Sequence, residues 1–143
     1  MTDFRYPATL NPEPEGGYTV RFRDFPEAIT HGNDRADARL QAADCLEEAV
    51  ANRIAAGLAI PAPSQPRRST FIPLAPAMAA KAALYLAVRE AGISNVALAL
   101  QLSVDEKEVR RMLDPRHTTK LSRIQAALTV LGKRLVVGVE EAA

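Results

Sequence analysis

Asp24 ends the run GGYTVRFRD, in which Tyr18, Val20 and Phe22 alternate with Thr19, Arg21 and Arg23 before Pro26 breaks the pattern. That period of two is a half-buried strand. An acid at the mouth of a strand, followed by an irregular turn, is a place for metal-dependent phosphodiester cleavage if further carboxylates converge on it. The candidates are Asp34, Asp37, Asp44, Glu47 and Glu48. The first strand, FRYPATL, offers none. Asp34 and Asp37 fall where a helix N-terminus favours acids, and Glu47 and Glu48 read as solvated. Asp24 itself reads as a turn residue that accepts bonds from the backbone N–H groups around Phe25–Ala28. The expectation is no catalytic residue, no metal site and no cofactor. His31 sits at a strand end, His117 lies in a basic loop, and Cys45 falls on an apolar helix face. No serine lies near a histidine in a nucleophile motif, and there is no glycine-rich phosphate loop.

A second kind of chemistry lies further along, in LALQLSVDEKEVRRML, residues 98–113. Leu98, Ala99 and Leu102 share one face of a short helix, and small Ala99 lets a second helix cross closely. Asp105 with Glu108 three residues on is a D-x-x-E variant of the capping box, so a new helix starts there. Val109, Met112 and Leu113 are its buried face. Two short helices joined by about three residues describe a helix-turn-helix. Its turn usually wants glycine for positive φ, and Ser103 stands there instead. The outer face of the second helix carries Glu106, Lys107, Arg110 and Arg111, and RHTTK follows directly. A helix N-terminus with Lys, Arg and hydroxyls is what groove reading needs. The DNA-contact candidates are Glu106, Lys107 and Arg111 for base edges, and Arg110, Arg116, Thr118, Thr119 and Lys120 for phosphates.

The elements that must hold these groups follow from the same patterning. FRYPATL is a strand, with Pro7 pointing to an edge position because it cannot donate to a ladder. NPEPEGG is turn chemistry, GYTVRFRD returns antiparallel, and AITHG is a short third strand. Asn33 or Asp34 caps a helix whose inward face is Ala38, Ala42, Cys45, Leu46, Ala49 and Arg53 or Ile54, stopped at Gly57. LAIPAPSQP is a proline-rich connection, and RRSTFIPL a further strand. Helices at 80–91 and 122–132 flank the helix-turn-helix. LVVGV, residues 135–139, carries apolar side chains on both faces and reads as a terminal strand that pairs with its copy in a second subunit. The plainer alternative is that it joins the sheet of its own chain. The fold class is α+β: a β-β-β-α-β unit over 1–76 with a small antiparallel sheet and a helix on one face, then an all-α unit over 77–143 with a terminal strand.

Charge divides the same way. Residues 1–76 carry 8 Arg and no Lys against 10 acids, a net of −2; residues 77–143 carry 10 Lys plus Arg against 7 acids, a net of +3. Seven basic residues and a single acid, Asp114, lie between Arg110 and Arg134, a stripe suited to a polyanion. Aromatics are only 5%, so the core rests on Leu, Val, Ile and Ala. One cysteine forms no internal disulfide, and no Cys/His spacing indicates zinc. The N-terminus lacks a signal layout and no run reaches transmembrane length, so the chain reads as cytoplasmic, with no membrane partner.

In order along the chain, FRYPATL, EGGYTVRFRDFPEAITHG, DARLQAADCLEEAV and IPAPS, followed by LALQLSVDEKEVRRML, RHTTKLSRIQAAL and LGKRL, resemble the HicB antitoxins, in the branch that carries a C-terminal helix-turn-helix. The resemblance spans nearly the whole chain. It implies a truncated ribonuclease-H-like first unit without catalytic capacity, which covers the active site of a small basic RNA-cleaving HicA-like toxin. It also implies a second unit that binds the operator of its own operon. The acidic first half suits a basic partner. Two other readings stand beside it: a small RNase-H-like metal-dependent nuclease, and a stand-alone regulator whose first domain senses a ligand. The expected assembly is a homodimer or a higher homo-oligomer, and a dimer places two reading helices roughly 34–36 Å apart, as a palindromic operator needs.

Overall fold

The computed structural model describes residues 1–142. The chain divides into two compact units, Met1–Ala79 and Ala80–Ala143. In the first, β1 (Arg5–Pro12), β2 (Tyr18–Phe22), β3 (Ile29–Gly32) and β4 (Thr70–Pro73) form one sheet in the order β3-β2-β1-β4, with every neighbouring pair antiparallel. Helix α1 (Arg35–Ala55) lies between β3 and β4 in the chain, so the order is β-β-β-α-β. Ala8 faces Phe22, and Tyr6 faces Ile72. These four side chains and Val20 are buried, while Thr9, Arg21 and Ile29 on the other face are exposed. Alternation along each strand thus gives one apolar face, as the sequence pattern requires.

Helix α1 covers the apolar face. Its buried residues are Ala38, Ala42, Leu46, Ala49, Val50, Ala51 and Ile54; Cys45 is only half-buried. The small residues permit a close approach. A Cβ added at Gly32 would come within 2.3 Å of the Ala38 backbone, so glycine alone lets the helix sit this near β3. Asp34 is the N-cap and accepts from the Asp37 N–H at 2.8 Å. Asp37 in turn accepts from the Asn33 N–H at 2.8 Å, a bond that holds its carboxyl below the usual range. These two acids start the helix.

One expectation about the sheet is corrected. Pro7 does not mark an edge: β1 is an inner strand, flanked by β2 and β4. The Leu74 N–H donates to the Phe4 carbonyl, and antiparallel alternation then puts Pro7 at a non-hydrogen-bonded position against β4. On its other side the β1–β2 register ends at Ala8 and Phe22. The missing N–H therefore removes no ladder bond.

Helix α2 (Pro76–Ala91) leads into the second unit, followed by α3 (Asn95–Leu102), α4 (Glu106–Leu113) and α5 (Leu121–Val130). One core cluster joins Ala80, Leu84 and Ala87 of α2 to Met112 and to Ile124, Ala127 and Leu128 of α5. A second joins Leu98 and Ala99 to Val109. Val88, Leu102, Leu113 and Leu131 pack against both. Ser94 caps α3, its hydroxyl accepting from the Ala97 N–H at 3.1 Å.

The terminal strand expected for LVVGV, residues 135–139, is absent from the single chain. Gly132 ends α5 at φ +75°, and residues 133–142 are in neither helix nor strand. Leu135 is anchored: it packs against the α2–α5 core, and its N–H donates to Gln125 Oε1 at 2.7 Å. Beyond it Val137 and Val139 are 76% and 99% exposed. The sheet of the first unit has four strands and does not include this segment. Among the described residues no single helix is long and apolar enough to cross a membrane.

Candidate functional site

The Asp24 carboxylate is engaged at both oxygens, by a residue 40 positions away. Oδ2 accepts from the Ser64 N–H at 2.9 Å and Oδ1 from the Ser64 hydroxyl at 2.8 Å. The expected bonds from Phe25–Ala28 are not made; there the Ala28 N–H closes the turn on the Phe25 carbonyl at 2.9 Å. The same end of the unit holds two further anchors for the connector. Tyr6 donates its hydroxyl to the Pro61 carbonyl at 2.8 Å, and burial first, then Asp24, push its pKa up to about 12. Arg53 pairs with both Glu27 oxygens at 2.6 and 2.8 Å, donates to the Ala59 carbonyl, and lies 4.7 Å over the Phe25 ring. Asp24 is thus a clasp on the IPAPS segment. His31 pairs with Thr19, at the opposite end of β2 from Asp24, and lines an open polar cleft with Glu13, Glu15 and Asn33. Among the described residues no three of the Asp, Glu, His and Cys side chains gather to hold a metal ion.

The second unit holds the other group of candidates. Ser103 ends α3 at φ 54° and ψ 44°, the left-handed conformation that glycine usually fills. The Val104 N–H then reaches back to the Ala99 carbonyl at 3.0 Å, which closes the turn tightly before α4 begins. The capping box is not formed. Asp105 has extended backbone and stands at the N-cap, but its side chain makes no capping bond. Glu108 accepts from Arg111 Nη1 at 2.8 Å and from Arg123 Nη1 at 2.9 Å instead. Two charge-assisted bonds outweigh one bond to a neutral amide.

Four candidates, Glu106, Lys107, Arg110 and Arg111, are exposed on α4. Arg110 is 3.6 Å from Glu106, and Arg111 is held by Glu108. Lys107 has no ion-pair partner among the described residues. Of the loop residues, Arg116, Thr118 and Lys120 are exposed, whereas the Thr119 hydroxyl is turned to internal partners. The fold brings Arg111, Thr118, Thr119 and Lys120 around a cleft of about 220 Å³, together with His117 and Arg123; Glu106, Lys107, Arg110 and Arg116 do not line it.

Sequence reasoning passes over the residue that ties this region together. Lys81 of α2 is 5% exposed, and its ammonium donates to the carbonyls of Arg111 and Met112 at 2.9 and 2.8 Å and to Thr119 Oγ1 at 2.7 Å. All three donors are used. Desolvation lowers its pKa, opposed by the charge of Asp114. The carbonyls it meets are in the last turn of α4, which lacks intrahelical donors and carries the negative end of the helix dipole. A signal was present: Lys81 is the only charged residue between Pro76 and Val88.

Comparison with known proteins bears on the whole chain. Residues 5–83 match the family described as HicB_like antitoxin of bacterial toxin-antitoxin system. The protein named Antitoxin HicB in Escherichia coli K12 is 38% identical over 133 residues, covering 92% of this chain and 96% of that protein. Antitoxin HicB 1 of Photorhabdus laumondii is 33% identical over 140 residues, covering 98% and 90%. Antitoxin HicB of Pseudomonas fluorescens is 30% identical over 141 residues, covering 97% and 96%. With a matched family spanning the first unit and relatives aligned nearly end to end, the chain belongs to the HicB-like antitoxins of bacterial toxin–antitoxin systems.

Proposed function

We propose that this antitoxin neutralises a small basic RNA-cleaving toxin of the HicA kind through residues 1–76, and represses its own operon by binding operator DNA through residues 77–143. It does so as a cytoplasmic homodimer, without catalysis or cofactor. The observation that supports the DNA half is the tight α3–Ser103–α4 turn, which we read as a helix-turn-helix, beside an outer α4 surface bearing Glu106, Lys107 and Arg110. In such units the N-terminal turn of the second helix enters the major groove. Lys107, unpaired at that end, is the leading base reader, bonding guanine O6/N7, and Glu106 accepts from cytosine N4. Arg111 reaches a base only by leaving Glu108. Arg110, Arg116, Thr118 and Lys120 contact phosphates, and Thr119 contributes from the same loop. The full engagement of Asp24 by Ser64 favours this reading over the nuclease.

Two measurements test it. The purified chain should bind DNA from upstream of its own gene at least about a thousandfold more tightly than random DNA. Expression of an adjacent short basic reading frame should arrest growth, and co-expression of this chain should restore it. A protein with no preference for its upstream DNA refutes the repressor half. An arrest that this chain leaves untouched refutes the antitoxin–toxin pairing.

A further inference from the structure

We propose that Lys81, which lies outside both groove-reading helices, is a positioning residue for DNA binding: it locks the loop between α4 and α5 onto the end of α4 and so fixes its phosphate-contacting side chains in place. The inference rests on the operator reading above.

The loop runs from Asp114 to Lys120 and carries Arg116, His117, Thr118 and Lys120. Its own bonds are short-range: the Arg116 N–H to Asp114 Oδ1 at 2.9 Å, the His117 N–H to the Asp114 carbonyl at 3.2 Å, and a His117 Nδ1 to Thr119 Oγ1 contact at 3.3 Å. At its ends the loop joins the helices through the backbone: the Asp114 N–H donates to the Arg111 carbonyl at 3.2 Å, and the Lys120 carbonyl accepts from the Arg123 and Ile124 N–H groups at 3.0 and 3.3 Å. Between those ends the Thr119 hydroxyl accepts from Lys81 at 2.7 Å and donates toward the Arg111 carbonyl at 3.4 Å. The same ammonium holds the Arg111 and Met112 carbonyls. One buried cation therefore joins α2, the C-terminal turn of α4 and the loop. A neutral side chain of equal length could fill the space but could not bridge three oxygens.

The geometry also explains why a lysine is kept in an apolar helix. Ala80 and Ala82 beside it are buried, and Leu84 is part of the α2–α5 core. A buried ammonium destabilises unless every donor is met, and here all three are, so this lysine secures one arrangement rather than added stability.

The test compares Lys81→Met, Thr119→Val and the double variant in the full-length chain. Each is assayed on operator and random DNA across a salt series, with backbone amide exchange at residues 116–120. In Lys81→Met, operator and random DNA should both lose about tenfold in affinity, and the salt slope should fall by about one to two, as the loss of one or two phosphate contacts requires. The ratio of operator to random affinity should persist, because α4 still reads bases. Amides 116–120 should exchange faster while those of α4 stay protected. The double variant should be no weaker than Lys81→Met alone, since the two changes act through the Lys81–Thr119 bond they share. Additive losses, or a fall in the operator-to-random ratio with affinity for random DNA unchanged, overturn the proposal. Should Lys81→Met fail to fold, Thr119→Val carries the test: unchanged loop exchange and DNA affinity overturn it. Wild-type protein that prefers no upstream DNA removes the operator reading and this role with it. Wild-type binding that all variants retain removes only the role of Lys81.

Discussion

Glu108 shows how far a residue's role depends on neighbours the sequence leaves unordered. In the sequence it is the fourth residue of D-x-x-E and reads as half of a capping box. In the fold it holds Arg111 and Arg123 with one oxygen each. If this face meets DNA as proposed, that carboxylate competes with a phosphate for the same two cations. Replacing it with glutamine should release two guanidinium groups toward the polyanion. Glu108→Gln should raise affinity for random DNA several-fold at low salt and steepen the salt slope by up to about two. Stability should fall by no more than about 1 kcal/mol, because these pairs are half exposed. Unchanged random-DNA affinity would show that the arginines are held elsewhere. Ser103 gives a second case. A side chain at φ 54° is strained, and glycine relieves that strain. Ser103→Gly should stabilise the second unit by up to about 1 kcal/mol in urea unfolding, offset in part by the greater freedom of glycine in the unfolded chain. A loss of stability would mean that the serine hydroxyl contributes more than the strain removes.

At the scale of elements, most of the fold is legible because each element announces itself locally. The alternation in GYTVRF gives β2, the small-residue stripe from Ala38 to Ala49 gives α1, and the Ser103 break separates α3 from α4. What is not legible is what joins distant segments. Asp24 and Ser64 are 40 residues apart, and nothing in either neighbourhood specifies the other. Pro7 misleads because the side on which a ladder ends depends on the partner strand. Lys81 looks like a lone surface charge until α4 is packed over it. The Asp24–Ser64 clasp makes a clear prediction. With Tyr6–Pro61 and Arg53–Ala59 it secures the proline-rich connector to the sheet and to α1. Asp24→Ala should destabilise the first unit by about 1–3 kcal/mol, since it leaves a part-buried N–H and hydroxyl without an acceptor. Proteolysis at 58–66 should quicken in step. A catalytic acid behaves otherwise, for its removal abolishes cleavage without this loss of stability. RNA cleavage in Mg²⁺ that disappears in a fully stable Asp24→Ala protein would reverse the assignment.

Across the whole molecule, the change from a net −2 to a net +3 follows the change from sheet to helices, and both were visible in composition. The proposed homodimer has no such signature in composition, because an edge that pairs with a second copy is defined only by that partner. The C-terminal segment is the place to look for it. The chain is fixed as far as Leu135, by the Gln125 bond and by packing on the α2–α5 core. After that point Val136, Val137 and Val139 are 61%, 76% and 99% exposed. Were this segment to extend, its exposed apolar residues would lie on both faces, which suits pairing with a second copy that supplies both ladder and cover. Two strands alone are marginal in water, so such a ribbon would have to lie on the helices of one or both copies. Where the chain is cut decides what the experiment reports. Ending it at Gly132 removes Leu135 and damages the core, so a loss of function would be ambiguous. Ending it after Leu135 keeps the anchor and removes only the exposed valines and their neighbours at the C-terminus. That protein should unfold at the same urea concentration as the full chain when both are compared as monomers. By analytical ultracentrifugation it should no longer self-associate through its second unit. Its affinity for a palindromic operator should fall by about a hundredfold or more, because each half-site is then bound singly and the gain from linkage is lost. A truncated chain that stays dimeric and binds the operator undiminished would place the dimer contact on the helices or on the first unit.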